Sequence, residues 1–125
     1  METERTLADD KWVRIMADFC AEAIWCKDGA GTSIEELPVT PELRDRILAW
    51  QHWYDDQCEG YLPPSERTTQ FDYAAFSAKG LALALEVKRQ LPDWTVIYFD
   101  EERSNKVPAL DYEYEVRVDG QLTHD

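Results

Sequence analysis

The chain has 125 residues, 44% of them apolar and 12% aromatic, which suits a single domain whose core needs no disulfide or metal staple. Its 26 acidic and 13 basic side chains leave a formal charge of −13, a surface that repels phosphate backbones and anionic lipid and so argues against nucleic acid or a membrane as partner. No stretch approaches the ~20 apolar residues that span a bilayer, and METERTLADDKW lacks the apolar run of a secretory signal.

Residues 1–10 are polar and expected to fray. Across KWVRIMADF, Val13, Ile15, Ala17 and Phe19 alternate with Trp12, Arg14, Met16 and Asp18, and this period of two predicts a strand. Residues 20–40 fit helix, strand or loop, with KDGAGTS (27–33) a turn. A helix is predicted over 41–58, with Thr40 as N-cap and Pro41 at its first position. Leu43, Ile47, Trp50 and Tyr54 recur on one face of it. Gly60 and the pair Pro63-Pro64 stop it.

After a polar linker over 61–70, a second helix is predicted over 71–91, rich in Ala and Leu. Lys88 and Arg89 sit in its last turn, complementing the helix dipole, and Pro92 closes it. Gly80 in its middle costs about 1 kcal/mol relative to Ala, which close packing against the sheet or the other helix would justify. WTVIYFD (94–100) is apolar on both faces and reads as a central strand. YEYEVRVD (112–119) alternates cleanly, with Tyr112, Tyr114, Val116 and Val118 inward, as in a half-buried antiparallel strand. The loop between these strands is long for a hairpin, and long loops often carry function. The whole reads as one α+β domain over 1–125: a three-stranded, mainly antiparallel sheet with two helices packed on one face. Trp12, Arg14, Glu113, Glu115 and Arg117 are expected on the other, more exposed face.

Chemistry-bearing motifs are sparse. Cys20, Cys26, His52 and Cys58 are zinc-ligand types, but Cys-x5-Cys is no knuckle and His52 and Cys58 point apart on a helix. No metal or cofactor is expected. The three cysteines form no framework and read as reduced thiols in a cytoplasmic protein. A Cys58/His52 pair or adjacent acids (Asp55/Asp56, Glu101/Glu102) are the enzymatic alternatives, yet no Gly-x-Ser-x-Gly, P-loop or Gly-x-Gly-x-x-Gly is present.

The charge distribution is more informative. Residues 71–92 are near neutral, as a core helix should be, while the acids gather on the strands, their loops and the end of the first long helix. There YDDQCEGY places Asp55, Asp56 and Glu59 at a helix C-terminus, where the dipole favours cations. Asp100, Glu101 and Glu102 follow the central strand. If the two ends point the same way, these acids form one rim with the aromatics Trp53, Tyr54 and Tyr61. Tyr54 lies on the apolar stripe, so Trp53 and Tyr61 are the better contact residues. Such a rim suits recognition of a basic protein. The bland alternative is that the aromatics are core and the acids only solubilise.

With RIMADFCAEAIWC near the start, LAWQHWYDDQ in the first long helix and VIYFDEE near the end, the chain resembles the immunity proteins of polymorphic toxin and contact-dependent inhibition systems. That resemblance implies a small, cytoplasmic, bacterial, non-enzymatic inhibitor that binds and blocks a cognate toxin, often a basic nuclease or another NAD- or nucleic-acid-directed enzyme. The candidate contact residues are Trp53, Asp55, Asp56, Glu59, Tyr61, Asp100, Glu101 and Glu102. An adaptor that binds a basic peptide is the alternative. A homodimer through an exposed strand edge or sheet-face tryptophans is compatible with the sequence.

Overall fold

A computed structural model describes residues 7–18, 21–58, 62–66, 71–100, 113–117, 119–120 and 122–123. The elements run α1 (Leu7–Asp10), β1 (Trp12–Ile15), β2 (Ile24–Trp25), α2 (Pro41–Gln57), α3 (Tyr73–Gln90), β3 (Thr95–Phe99), β4 (Glu113–Val116) and β5 (Leu122–Thr123).

The helices form as their local signals dictate. The Thr40 side chain accepts from the Leu43 amide at 3.3 Å and opens α2, with Pro41 directly after it. Leu43, Ile47, Trp50 and Tyr54 are all buried, as the 3.6-residue stripe requires. Asp72 caps α3 by accepting from Ala75 N at 3.0 Å. In the last turn of α3, Arg89 pairs with Glu86 at 3.4 Å. Lys88 is instead buried and donates to the Trp94 carbonyl, tying the helix to the start of β3.

The α+β class holds, but the sheet is mixed and has more than the three strands expected. Among the described residues it has five strands in the order β2-β1-β3-β4-β5. Its middle pair, β1 and β3, is parallel, with Val13 beside Val96 and Ile15 beside Tyr98. The other pairs are antiparallel. The two added strands are two residues long each, too short for any hydrophobic period to show. The parallel pairing follows from the long connection through both helices, which returns the chain to its starting edge in the same direction. The first strand is also shorter than expected. It ends at Ile15, and Met16, Ala17 and Asp18 continue without strand structure. The expected fraying fails over 7–10, where a helical turn buries Leu7 to 1% exposure. The remainder of that segment, and the alternation at Phe19, Tyr112 and Val118, lie outside the described residues.

Alternation sorts the sheet into two faces. Val13, Ile15, Val96, Tyr98 and Val116 are buried and face the helices. Both long helices meet Tyr98: its hydroxyl donates to the Ser77 carbonyl of α3 at 2.9 Å, and its ring lies 6.5 Å from Trp50 of α2. The opposite face carries Trp12, Arg14, Trp25, Ile97, Glu113 and Glu115, in register. Ile97 is 4% exposed there. Arg14 Nε lies 2.6 Å from a Glu113 carboxylate oxygen, so this ion pair between β1 and β4 spans the intervening β3 and helps cover it. The Arg14 guanidinium also stands 5.6 Å from the Trp12 ring centroid, within cation–π range.

Candidate functional site

The acid-bearing end of α2 is built on an aromatic cluster. Trp50 stacks on Phe76 of α3 with centroids 4.5 Å apart, and its indole N–H donates to the Phe76 carbonyl at 3.0 Å. Trp53 meets the same ring edge-on at 5.1 Å and Phe71 at 5.7 Å. Tyr54 packs between Phe71 and Phe76, and the Cys58 sulfur lies 3.5 Å from the Tyr73 hydroxyl. These contacts pin the last turns of α2 to the start of α3. Trp53, expected at the surface, is half-buried: one side of its ring belongs to the core and the other faces outward.

Beyond this cluster the acids emerge. Asp55 is half-buried and Asp56 exposed, and no basic residue occupies the last turn of α2. Asp100 follows β3 and accepts a 2.9 Å hydrogen bond from Ser77 Oγ. Because Ser77 lies in the second turn of α3 and Phe71 just precedes that helix, the C-terminal ends of α2 and β3 both abut the start of α3. Trp53, Asp55, Asp56 and Asp100 are thus brought to one end of the fold. Glu59, Tyr61, Glu101 and Glu102 lie outside the described residues.

The thiol–imidazole pair does not assemble. Cys58 is 2% exposed and turned to Tyr73, whereas His52 is exposed on the other side of α2. Among the described residues no three His, Cys, Asp or Glu side chains come close enough to hold a metal ion. None of the described helices is long and apolar enough to cross a membrane.

Two features escaped the sequence. Gln51 is fully buried; its amide donates to the Asp18 carbonyl at 2.6 Å and accepts from the Asp18 amide at 3.3 Å, fastening the segment after β1 to α2. The second feature is a groove of about 420 Å³ between α2 and α3, lined by Arg46, Ala49, Trp50, Trp53, Ala75 and Lys79. Its only sequence signal is the spacing of Arg46, Ala49 and Trp53, three and four apart on one helical face beside the apolar stripe.

Set against known families, residues 11–101 match the sequence profile described as Serratia CdiI immunity protein-like. The chain belongs to that family. No curated protein matches the chain. As a CdiI-like protein it is a toxin-neutralising immunity protein of contact-dependent inhibition. The matched span contains both α2 and α3, the parallel strand pair and Asp100, so the aromatic cluster and the acids Asp55, Asp56 and Asp100 belong to the CdiI-like part of the chain.

Proposed function

We propose that this CdiI-like protein neutralises a basic toxin by occlusion rather than by catalysis, using the acidic, aromatic-studded end of the molecule. Trp53 and Tyr61 supply apolar contact area, and Asp55, Asp56, Glu59, Asp100, Glu101 and Glu102 supply the opposing charge. The setting is the cytoplasm of the bacterium that makes the toxin, and the partner is a protein rather than nucleic acid. The observation that carries the reading is the meeting of the acid-bearing ends of α2 and β3 at the start of α3, with no cation in the last turn of α2. A chain of charge −13 adds long-range steering, which raises association rates by roughly 10–10³-fold at low salt.

The test is association kinetics with the toxin domain encoded beside this gene, in low and high salt. Asp55→Asn/Asp56→Asn should slow association several-fold at low salt, and the deficit should shrink as salt is added. No binding of the toxin, or an association rate indifferent to both salt and these substitutions, would refute the proposal.

A further inference from the structure

The α2–α3 groove has the opposite sign to the rest of the molecule. Among the described residues its walls contain no carboxylate; they are two alanines, two tryptophans, Arg46 and Lys79. The acids outnumber the bases two to one in this chain, and most other described cations are engaged. Lys11, Arg14 and Arg89 pair with acids, and Arg44 and Lys88 donate to backbone carbonyls. Arg46 and Lys79 are exposed, stand on facing helices, and have no ion-pair or hydrogen-bond partner among the described residues. Between them the floor is apolar. Ala49 and Ala75, both exposed, leave the gap open, and the outward side of Trp53 closes one end of it.

From this we infer that the groove is a second, oppositely charged contact for the toxin: it takes a toxin segment presenting an apolar side chain flanked by carboxylates. The inference rests on the immunity reading above and extends it, because an acidic rim cannot be the seat of an acidic segment. Charge complementarity selects the occupant. Two cations without a partner among the described residues, set about an apolar floor, attract an anionic amphipathic strip, and tryptophan and arginine are enriched among the residues that dominate binding energy at interfaces. The groove is open to solvent rather than enclosed, which fits a helix or extended segment laid against it. A second copy of this chain is disfavoured, since two bodies of charge −13 repel. The resulting interface is two-signed, so a toxin must match both the acidic end and the cationic groove, which supplies discrimination between toxins that net charge alone does not.

The experiment measures the dissociation constant of the intact protein for the toxin domain encoded beside it, with melting temperature as the folding control. Arg46→Glu/Lys79→Glu should weaken binding at least about tenfold, whereas Arg46→Lys/Lys79→Arg should keep most of the affinity. Ala49→Trp, which fills the groove without changing charge, should weaken binding comparably and covers the case in which the charge-reversed variant fails to fold. Wild-type protein that binds toxin, together with groove variants that fold and bind equally well, overturns this inference and leaves the acidic-end proposal standing. Wild-type protein that does not bind the toxin overturns both. A wild-type dimer that dissociates on Arg46→Glu/Lys79→Glu assigns the groove to self-association and likewise overturns the inference.

Discussion

Gly80 occupies a position where a side chain has no room. A Cβ there would lie 2.4 Å from Cζ2 of Trp50 and 2.6 Å from the Tyr98 hydroxyl. Neither neighbour can swing away easily, because Trp50 is stacked and hydrogen-bonded to Phe76 and Tyr98 is bonded to Ser77. Two effects compete in Gly80→Ala. Helix propensity favours alanine by about 1 kcal/mol, while overpacking a close-fitted core typically costs about 1–3 kcal/mol. With two pinned rings in the way, overpacking wins, and the variant should lose roughly 1–2 kcal/mol, read as a lower urea midpoint at unchanged slope. Equal or greater stability would contradict this. The sequence marked Gly80 as a residue with a packing reason, because glycine in a helix is otherwise costly. It did not name Trp50 and Tyr98 as the neighbours, since both come from other elements. Gln51 gave no signal at all: a glutamine in a helix reads as solvent-facing until the backbone it bonds is in place.

At the scale of elements, α2 shows which features are local. Its cap, its first-position proline and its apolar stripe act within a few residues, and each appears in the structure as expected. Its C-terminal end is a conflict between local electrostatics and something else. Asp56 is exposed and stands where the partial charge of the helix end is negative. Asp56→Lys should therefore stabilise the fold by about 0.3–1 kcal/mol at low ionic strength, with the gain screened by salt. The same substitution should slow toxin association under the function proposed above. Thermal melts at two salt concentrations check the first half, and a variant less stable than wild type would remove the dipole argument. A gain in stability coupled to a loss in association is the trade expected of a residue kept for binding. β2 and β5 show the reverse case. Two residues carry no period, and these strands exist only because β1 and β4 offer edges to pair with.

The whole molecule is held together by the parallel β1–β3 pair, which sets Trp12 beside Thr95, flanked by a side-chain tie. Lys11 Nζ lies 3.0 Å from Asp93 and joins the turn after α1 to the residues before β3. The lysine hydrogen bond is the first cause of a lowered Asp93 pKa, helped by a backbone hydrogen bond within Asp93. A carboxylate whose pKa is depressed by folding adds stability above its unfolded pKa, about 3.9, and loses it as pH falls through the lower folded value. Both groups are exposed, so the contribution is small and salt-sensitive. Lys11→Met should thus be slightly less stable than wild type at neutral pH and low salt, with the difference fading only below about pH 4. Urea titrations of both proteins across that range check the sign, and a difference that grows on acidification would refute it. This tie was not legible, because in an open chain Lys11 and Asp93 are two charges among 39.

What the sequence determined by itself was local: where the two long helices begin and stop, which of their faces is apolar, that Thr95–Phe99 is central, and that acids crowd a helix end. Each depends on residues within about one or two turns of one another, and the chain states those relations directly. Only the tertiary structure decided that β1 and β3 run parallel, that the ends of α2 and β3 both reach the start of α3, and that Arg46, Lys79 and Trp53 line one groove. Those relations join residues brought together by burying one shared core between the helices and the sheet. The orientation that buries it best is a property of all the elements at once, and no segment carries it alone.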